Sequence, residues 1–472
     1  MKKTFINNFN YLSTTIIAIV FWWLIFGFNL SFEPFIWDDL SFFRIYTNEE
    51  LLNSWRGNWD PDGIFTKNYR PIGLFYYHIT YLIFGEHLFL FRSFVFIEIL
   101  ILLLLTNQLF ISFNFSQRQI MIFSILLIFS KIFATLVSWF TLSLLILTYI
   151  FAMLSIKYFF LSLQKKNNFY FGLSLIFAIF GILTREELYI LPLIIFFLYF
   201  YKFEINVKNI FTCLIRTILF FLIVFIHMYL RKHFVPDAPH INFSGNNFFF
   251  GDYVIQFGGY IQAVKSAFLP MGYLSSSYSD DLQRIFSISW ICSILIALMW
   301  LIKTTHMNLN NLKKILILII LVASSALPHL ATPRSFGIYL PSIFALMLIS
   351  ILINNLYYSN RILESKLRYI GKAISIFILL IGLAGGTYRS YLHLESVNKF
   401  SNSIVQYDAR IIYELKDATI PKHRYFEKKK HLENLNVYEY NWKKIYGYNM
   451  EAAETEIVSP KIIRNRYHPL RF

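Results

Sequence analysis

Charged residues are scarce in this chain. They make up 15% of its 472 residues, and 57% are hydrophobic with a mean hydropathy of +0.52, whereas an ordinary soluble chain carries roughly 25% charged residues. That shortage excludes water as the solvent for most of the surface. Cysteine is nearly absent too: Cys213 and Cys292 sit in or beside apolar runs, with no metal or redox spacing, which leaves structural thiols. No glycine-rich nucleotide loop is present. No internal repeat or pair of interrupted helices supplies the signature of an inverted-repeat transporter. The first apolar run, Tyr11 to Leu30, follows Lys2 and Lys3 and lacks a small-residue cleavage site, so it reads as a retained helix rather than a signal peptide.

What is present is a succession of apolar stretches from Leu12 to Gly386. About 20 apolar residues cross a hydrocarbon core. On that rule the fold class is an all-α polytopic membrane protein of about 11 transmembrane helices, near 11–30, 90–112, 118–137, 139–160, 169–184, 187–201, 209–230, 284–302, 313–330, 335–354 and 370–387. Domain organisation follows: a membrane body over 1–387, with external loops at 31–89 and 231–283, and a small α or α+β external domain over 388–472. The formal charge of +16 would point to nucleic acid in a soluble protein. Here many basic residues, including Lys157, Lys165, Lys166, Lys202, Lys208, Lys313 and Lys314, fall in short connections, which the positive-inside rule places in the cytoplasm. The expectation is an inner-membrane protein of bacterial type, its N-terminus cytoplasmic and its C-terminus external, with membrane lipids and not nucleic acid around it. Segment 71–84 is short and interrupted by Gly73 and His78. The preferred reading is an interfacial helix of the first external loop, the alternative a transmembrane helix that would reverse the topology after it.

Three polar groups interrupt the apolar pattern. Asp38 and Asp39 follow the first helix in Phe35-Ile36-Trp37-Asp38-Asp39, where adjacent carboxylates can take a hydroxyl proton or hold a divalent cation, or cap a helix. Arg185-Glu186-Glu187 is squeezed between two apolar runs, where ionisable groups are costly and tend to be functional; the plainer reading is a tight turn with Arg185 paired to a carboxylate. Pro328-His329 through Pro333-Arg334 leads into Tyr339-Leu340-Pro341-Ser342. Arg334 suits a phosphate through its guanidinium fork, and the alternative is anchoring at headgroups. Asn68-Tyr69-Arg70-Pro71 offers a further basic contact.

Taken in order, these pieces resemble the membrane-embedded glycosyltransferases of the type C superfamily. The nearest motifs are those of the protein O-mannosyltransferase group and its relatives with tetratricopeptide regions. Trp37-Asp38-Asp39, Asn68-Tyr69-Arg70-Pro71 leading to Tyr81-Leu82-Ile83-Phe84-Gly85, Phe91-Arg92, Arg185-Glu186-Glu187 with Leu191-Pro192, and Arg334 with Tyr339-Leu340-Pro341-Ser342 carry the likeness over about residues 10–355. Ser130-Lys131-Ile132 departs from it, standing where related proteins often have His-Pro, and the tail lacks the 34-residue repeat.

The resemblance implies juxtamembrane helices in the first external loop and a polyprenyl-phosphate sugar donor. It also implies inverting transfer to a protein, glycan or lipid acceptor. Asp38 or Asp39 would be the general base. Glu186 or Glu187 would orient the acceptor or help hold a divalent cation, magnesium or manganese, with Asp38, Asp39 and Glu187 as its ligands. Arg334 would neutralise the departing phosphate, helped by Arg70 or His329. No nucleotide cofactor is implied. A pyrophosphate-linked glycan polymerase or ligase, a lipid or glycan transporter, and a membrane scaffold are the competing readings.

Overall fold

The computed structural model describes residues 2–27, 46–59, 68–84, 88–235, 260–269, 281–304, 309–330, 338–358 and 365–416. Within them the chain is helical: α1 (Lys2–Trp22), continued by a π-helical turn Trp23–Gly27, α2 (Asn48–Asn53), α3 (Pro71–Phe84), α4 (Leu88–Ser112), α5 (Gln117–Ile128), α6 (Lys131–Ser138), α7 (Ser143–Lys165), α8 (Asn168–Thr184), α9 (Leu191–Lys202), α10 (Val207–Phe234), α11 (Asp281–Thr304), α12 (Leu309–Ser325), α13 (Tyr339–Tyr358) and α14 (Ser365–Lys416). Short 3-10 turns stand at Glu186–Ile190 and Leu327–Leu330.

Six of these helices are long and apolar enough to cross a membrane, or seven if the bent pair α5 and α6 is one span. The expected eleven are not reached by that measure. The helices expected at 169–184, 187–201 and 313–330 are realised with 17, 12 and 17 residues. A continuous helix over 118–137 is corrected to two, bent by 56°. The break has a local cause. Ser130 hydroxyl donates to the Leu127 carbonyl at 2.7 Å and accepts from the Phe133 amide, ending one helix and capping the next. The boundary expected at 387/388 falls inside α14.

The outer helices carry apolar side chains on their open faces, such as Leu214, Ile218, Leu222, Phe225 and Tyr229 on α10. Such a surface belongs in hydrocarbon, because apolar area of this extent in water drives association. Between helices, polar groups are paired internally, as hydrocarbon demands. Asn107 on α4 donates to Thr15 of α1 at 3.2 Å and to Ser124 of α5 at 3.0 Å. Ser155 and Ser174 each donate to the other's carbonyl, at 2.8 and 2.7 Å, locking α7 to α8.

The bundle has two chemically different ends. α7 ends at Lys165 and α8 returns from Asn168, so the start of α7 and the end of α8 share one end and the lysine turn marks the other. At the lysine end, Lys202 donates to the Ser112 carbonyl at 3.2 Å and Lys313 to the Phe203 carbonyl at 2.7 Å, satisfying helix-terminal carbonyls with cations. The opposite end holds α2, α3 and the turn after α8. There Thr47 and Glu50 make a reciprocal capping box that starts α2. Pro71 opens α3, where its missing N–H costs nothing. Tyr77 of α3 donates to the Thr141 carbonyl at 2.8 Å, pinning this helix to the start of α7.

Candidate functional site

The apolar run of α8 ends because Arg185 is extended, with φ −156° and ψ 141°. The chain then makes the 3-10 turn Glu186–Ile190 before Pro192 allows α9 to start in its first turn. This turn places Arg185, Glu186 and Glu187 where two apolar helices meet. Arg70 reaches it from the extended residues before Pro71. Its Nε donates to Glu186 Oε2 at 2.6 Å and its Nη2 to Glu186 Oε1 at 2.5 Å. Arg185 grips Glu187 in the same way, at 3.1 Å from Nε and 2.6 Å from Nη2. Both arrangements are bidentate forks, the strong form of a charge-assisted pair. The guanidinium side chains are 3% and 5% exposed while the carboxylates remain 18% and 17% exposed, so the carboxylates look outward and the arginines support them from inside.

Around the turn stands a shell that inspection of motifs did not single out. Arg231 was expected in the external loop 231–283. Instead it lies in the last turn of α10, buried, and donates from Nη2 to Asn68 Oδ1 at 2.8 Å. Its charge acts on Glu186. His227, one turn earlier on α10, pairs with Tyr189 hydroxyl at 2.6 Å and lies against the Tyr69 ring. The only sequence signal for these residues was the spacing of His227 and Arg231 at i and i+4. Asn68 and Tyr69 are held in turn by Asn58, which accepts from the Asn68 amide at 2.9 Å, and by the Trp55 carbonyl, which accepts from Tyr69 hydroxyl at 3.2 Å. Arg70 also lies 5.1 Å over the Trp59 ring.

Burial by itself would raise both carboxyls. The Arg70 guanidinium outweighs it and holds Glu186 well below the usual carboxylate range, with Arg231 and Arg185 adding to the effect. Arg185 lowers Glu187 likewise. Both glutamates are therefore anionic at neutral pH. Arg70, Arg185 and Arg231 against Glu186 and Glu187 leave one positive charge in excess.

The structure thus brings Arg70, Glu186 and Glu187 together. The turn Leu327–Leu330, which carries His329, packs against the turn Glu186–Ile190. Tyr339, from the motif that follows Arg334, stacks on Tyr149 at 5.2 Å, and Tyr149 in turn lies in the field of Glu187 and Arg185. Asp38, Asp39, Arg334 and the His329 side chain lie outside the described residues. Among the described residues no three His, Cys, Asp or Glu side chains stand together as a metal site. Both oxygens of each glutamate already face a guanidinium, a donor set that suits arginine better than a divalent cation.

No family model matches the sequence, and no curated protein does. Among solved structures, the chain is similar to an archaeal oligosaccharyltransferase, AglB from Archaeoglobus fulgidus, in complex with an inhibitory peptide and a dolichol-phosphate. The two are 12% identical with a TM-score of 0.46, over 96% of this chain. The chain spans 61% of that protein's length.

Proposed function

We propose that this protein is a membrane-embedded glycosyltransferase that moves a sugar from a polyprenyl-phosphate donor to an acceptor hydroxyl at the Arg70–Glu186 end of the bundle. The observation that carries the reading is the turn after α8. Two outward-looking carboxylates are braced by three buried guanidiniums at the junction of apolar helices. Buried ionic networks at membrane depth are costly to keep without a function. The order of sequence motifs around this turn gives the reading its chemical class.

In this reading Asp38 or Asp39 takes the proton of the acceptor hydroxyl. The freed oxygen forms a bond to the anomeric carbon as the bond from that carbon to the phosphate oxygen breaks. The electron pair leaves with the lipid phosphate, and the configuration inverts. Arg334, helped by His329, meets the charge that develops on the leaving phosphate. Glu186 and Glu187 accept hydrogen bonds from the acceptor. Arg70 and Arg185 act as positioning residues, since each fork fixes one carboxylate.

The test is transfer of labelled sugar from a panel of polyprenyl-phosphate and polyprenyl-pyrophosphate donors by the protein in nanodiscs, with membrane extract as the acceptor source. A product that disappears in the Asp38→Ala/Asp39→Ala variant supports the reading. Transfer that survives in that variant, or that proceeds only from pyrophosphate-linked donors, refutes it.

A further inference from the structure

Arg216 lies inside α10, one of the helices long and apolar enough to cross a membrane. A side chain on a helix points back toward the N-terminus. For α10 that is the lysine end of the bundle, since α9 arrives there at Lys202 and α10 leaves from Val207. The contact made by Arg216 agrees with this direction. Its Nη1 donates to Ser162 Oγ at 3.0 Å, and Ser162 stands one turn before Lys165, where α7 ends. A helix rises 1.5 Å per residue, so the guanidinium meets α7 about 4.5 Å from its last residue. The Phe171 ring of α8 lies against it, 5.3 Å from Cζ to the centroid.

No carboxylate comes with this cation. None of α7, α8, α9 and α10 contains an aspartate or glutamate. The nearest acid along the chain is Glu204, in the connection before α10. It is exposed and makes no ion pair among the described residues. Ser162 hydroxyl already donates to the Phe159 carbonyl at 2.7 Å, so it meets Arg216 as a neutral acceptor. A guanidinium carries five N–H donors, and this one is half-buried, so it reaches the surface of the bundle. Lys165, Lys166 and Lys208 are exposed at the same end. Ile215 and Leu219, exposed on α10, supply an apolar flank. A cation at membrane depth is costly unless it is paired.

We infer that Arg216, braced by Ser162 and Phe171, binds a phosphate group, either that of an anionic phospholipid in the leaflet at the lysine end or free phosphate. Two N–H groups of a guanidinium fork match two phosphate oxygens. Basic pockets between spanning helices hold lipid headgroups in this way, and Ile215 and Leu219 offer contact to acyl chains. The site lies at the opposite end of the bundle from the Arg70–Glu186 turn and shares no residue with it. The inference stands on this geometry and not on the proposed transfer reaction.

The experiment uses the whole protein in detergent, with dioleoylphosphatidylglycerol, dioleoylglycerol and inorganic phosphate as probes. Binding is read by native mass spectrometry and by the ligand-induced rise in Tm. The phospholipid should bind and raise Tm, and dioleoylglycerol should not. Arg216→Gln should weaken binding by about 10-fold or more, as loss of a charged hydrogen-bond donor does. Arg216→Lys keeps the charge but not the fork, so its affinity should fall between the two, and it carries the test if Arg216→Gln does not fold. Lys166→Gln removes one exposed charge at the same end and should change binding little at raised salt. If inorganic phosphate binds as tightly as the phospholipid and shows the same loss, the site holds and its ligand is the free anion. Binding of phosphate in neither form, binding unchanged in both Arg216 variants, or an equal loss in Lys166→Gln overturns the inference. Sugar transfer is not measured, so failure of the transfer reading leaves this result standing.

Discussion

Arg70 holds Glu186 through two hydrogen bonds, of 2.6 and 2.5 Å, across 116 positions of sequence. Nothing local brings the two residues together. Pro71 ends the extended approach of Arg70, and the 3-10 turn after α8 carries Glu186 to meet it. The pair ties the segment before α3 to the end of α8 and so sets the geometry of this end of the bundle.

Removing one partner should therefore be worse than removing both. Glu186→Met or Arg70→Met leaves a buried charge uncompensated and should cost about 3 kcal/mol, near the low end for buried pairs because the carboxylate keeps some exposure. The Arg70→Met/Glu186→Met variant should recover part of that loss. Thermal unfolding in detergent of the four proteins tests it, and a double variant that loses the sum of both single effects would show that the pair is not coupled.

Acid should loosen the same turn. The folded carboxyl of Glu186 is held below its ordinary value by Arg70, so its contribution is fully present above the unfolded value of about 4.3 and is lost as pH falls through the lower folded value. Tm of the wild type should fall as pH is lowered from about 5 to 3, and Glu186→Gln should flatten part of that slope. Parallel slopes in the two proteins would rule out Glu186 as the titrating group.

For catalysis, Asp38→Asn and Asp39→Asn distinguish the base from its neighbour. The variant that lacks the base should lose about 10²- to 10⁴-fold in transfer rate, and its Tm should stay at the wild-type value. Initial rates with whichever polyprenyl-phosphate donor of the panel is turned over decide it. Full rates in both single variants and in the double variant would remove these residues from the mechanism.

A side chain at Gly382 of α14 would run into the Trp290 ring, with Cη2 at 2.8 Å, and Leu126 Cδ2 at 2.9 Å. The ring cannot yield easily, because it is buried and its Nε1 donates to the Phe268 carbonyl at 3.0 Å. Gly382→Val should destabilise the protein by about 1–3 kcal/mol through overpacking, seen as a lower Tm. An unchanged Tm would mean that α11 and α14 separate freely here.

Hydropathy alone located the helical segments, since a run of apolar side chains needs no partner to declare that it avoids water. The break between α8 and α9 was also legible, because Arg185, Glu186 and Glu187 interrupt such a run. Pairing was not. Either glutamate could have met Arg185, and Arg70 read equally well as a phosphate contact, because sequence carries no record of which distant side chains share a point in space. The bend at Ser130 went unread, since serine occurs in continuous membrane helices as well as at their caps.

By itself, the sequence determined that this chain is a helical membrane protein with a few isolated ionisable groups, because burial of apolar area is additive along the chain. Tertiary structure alone decided that Glu186 belongs to Arg70 and Glu187 to Arg185. It also placed Arg231 beside Asn68 and Arg216 beside Ser162. Charge interactions fall off with distance and depend on the local medium, and both are set only when the helices have packed.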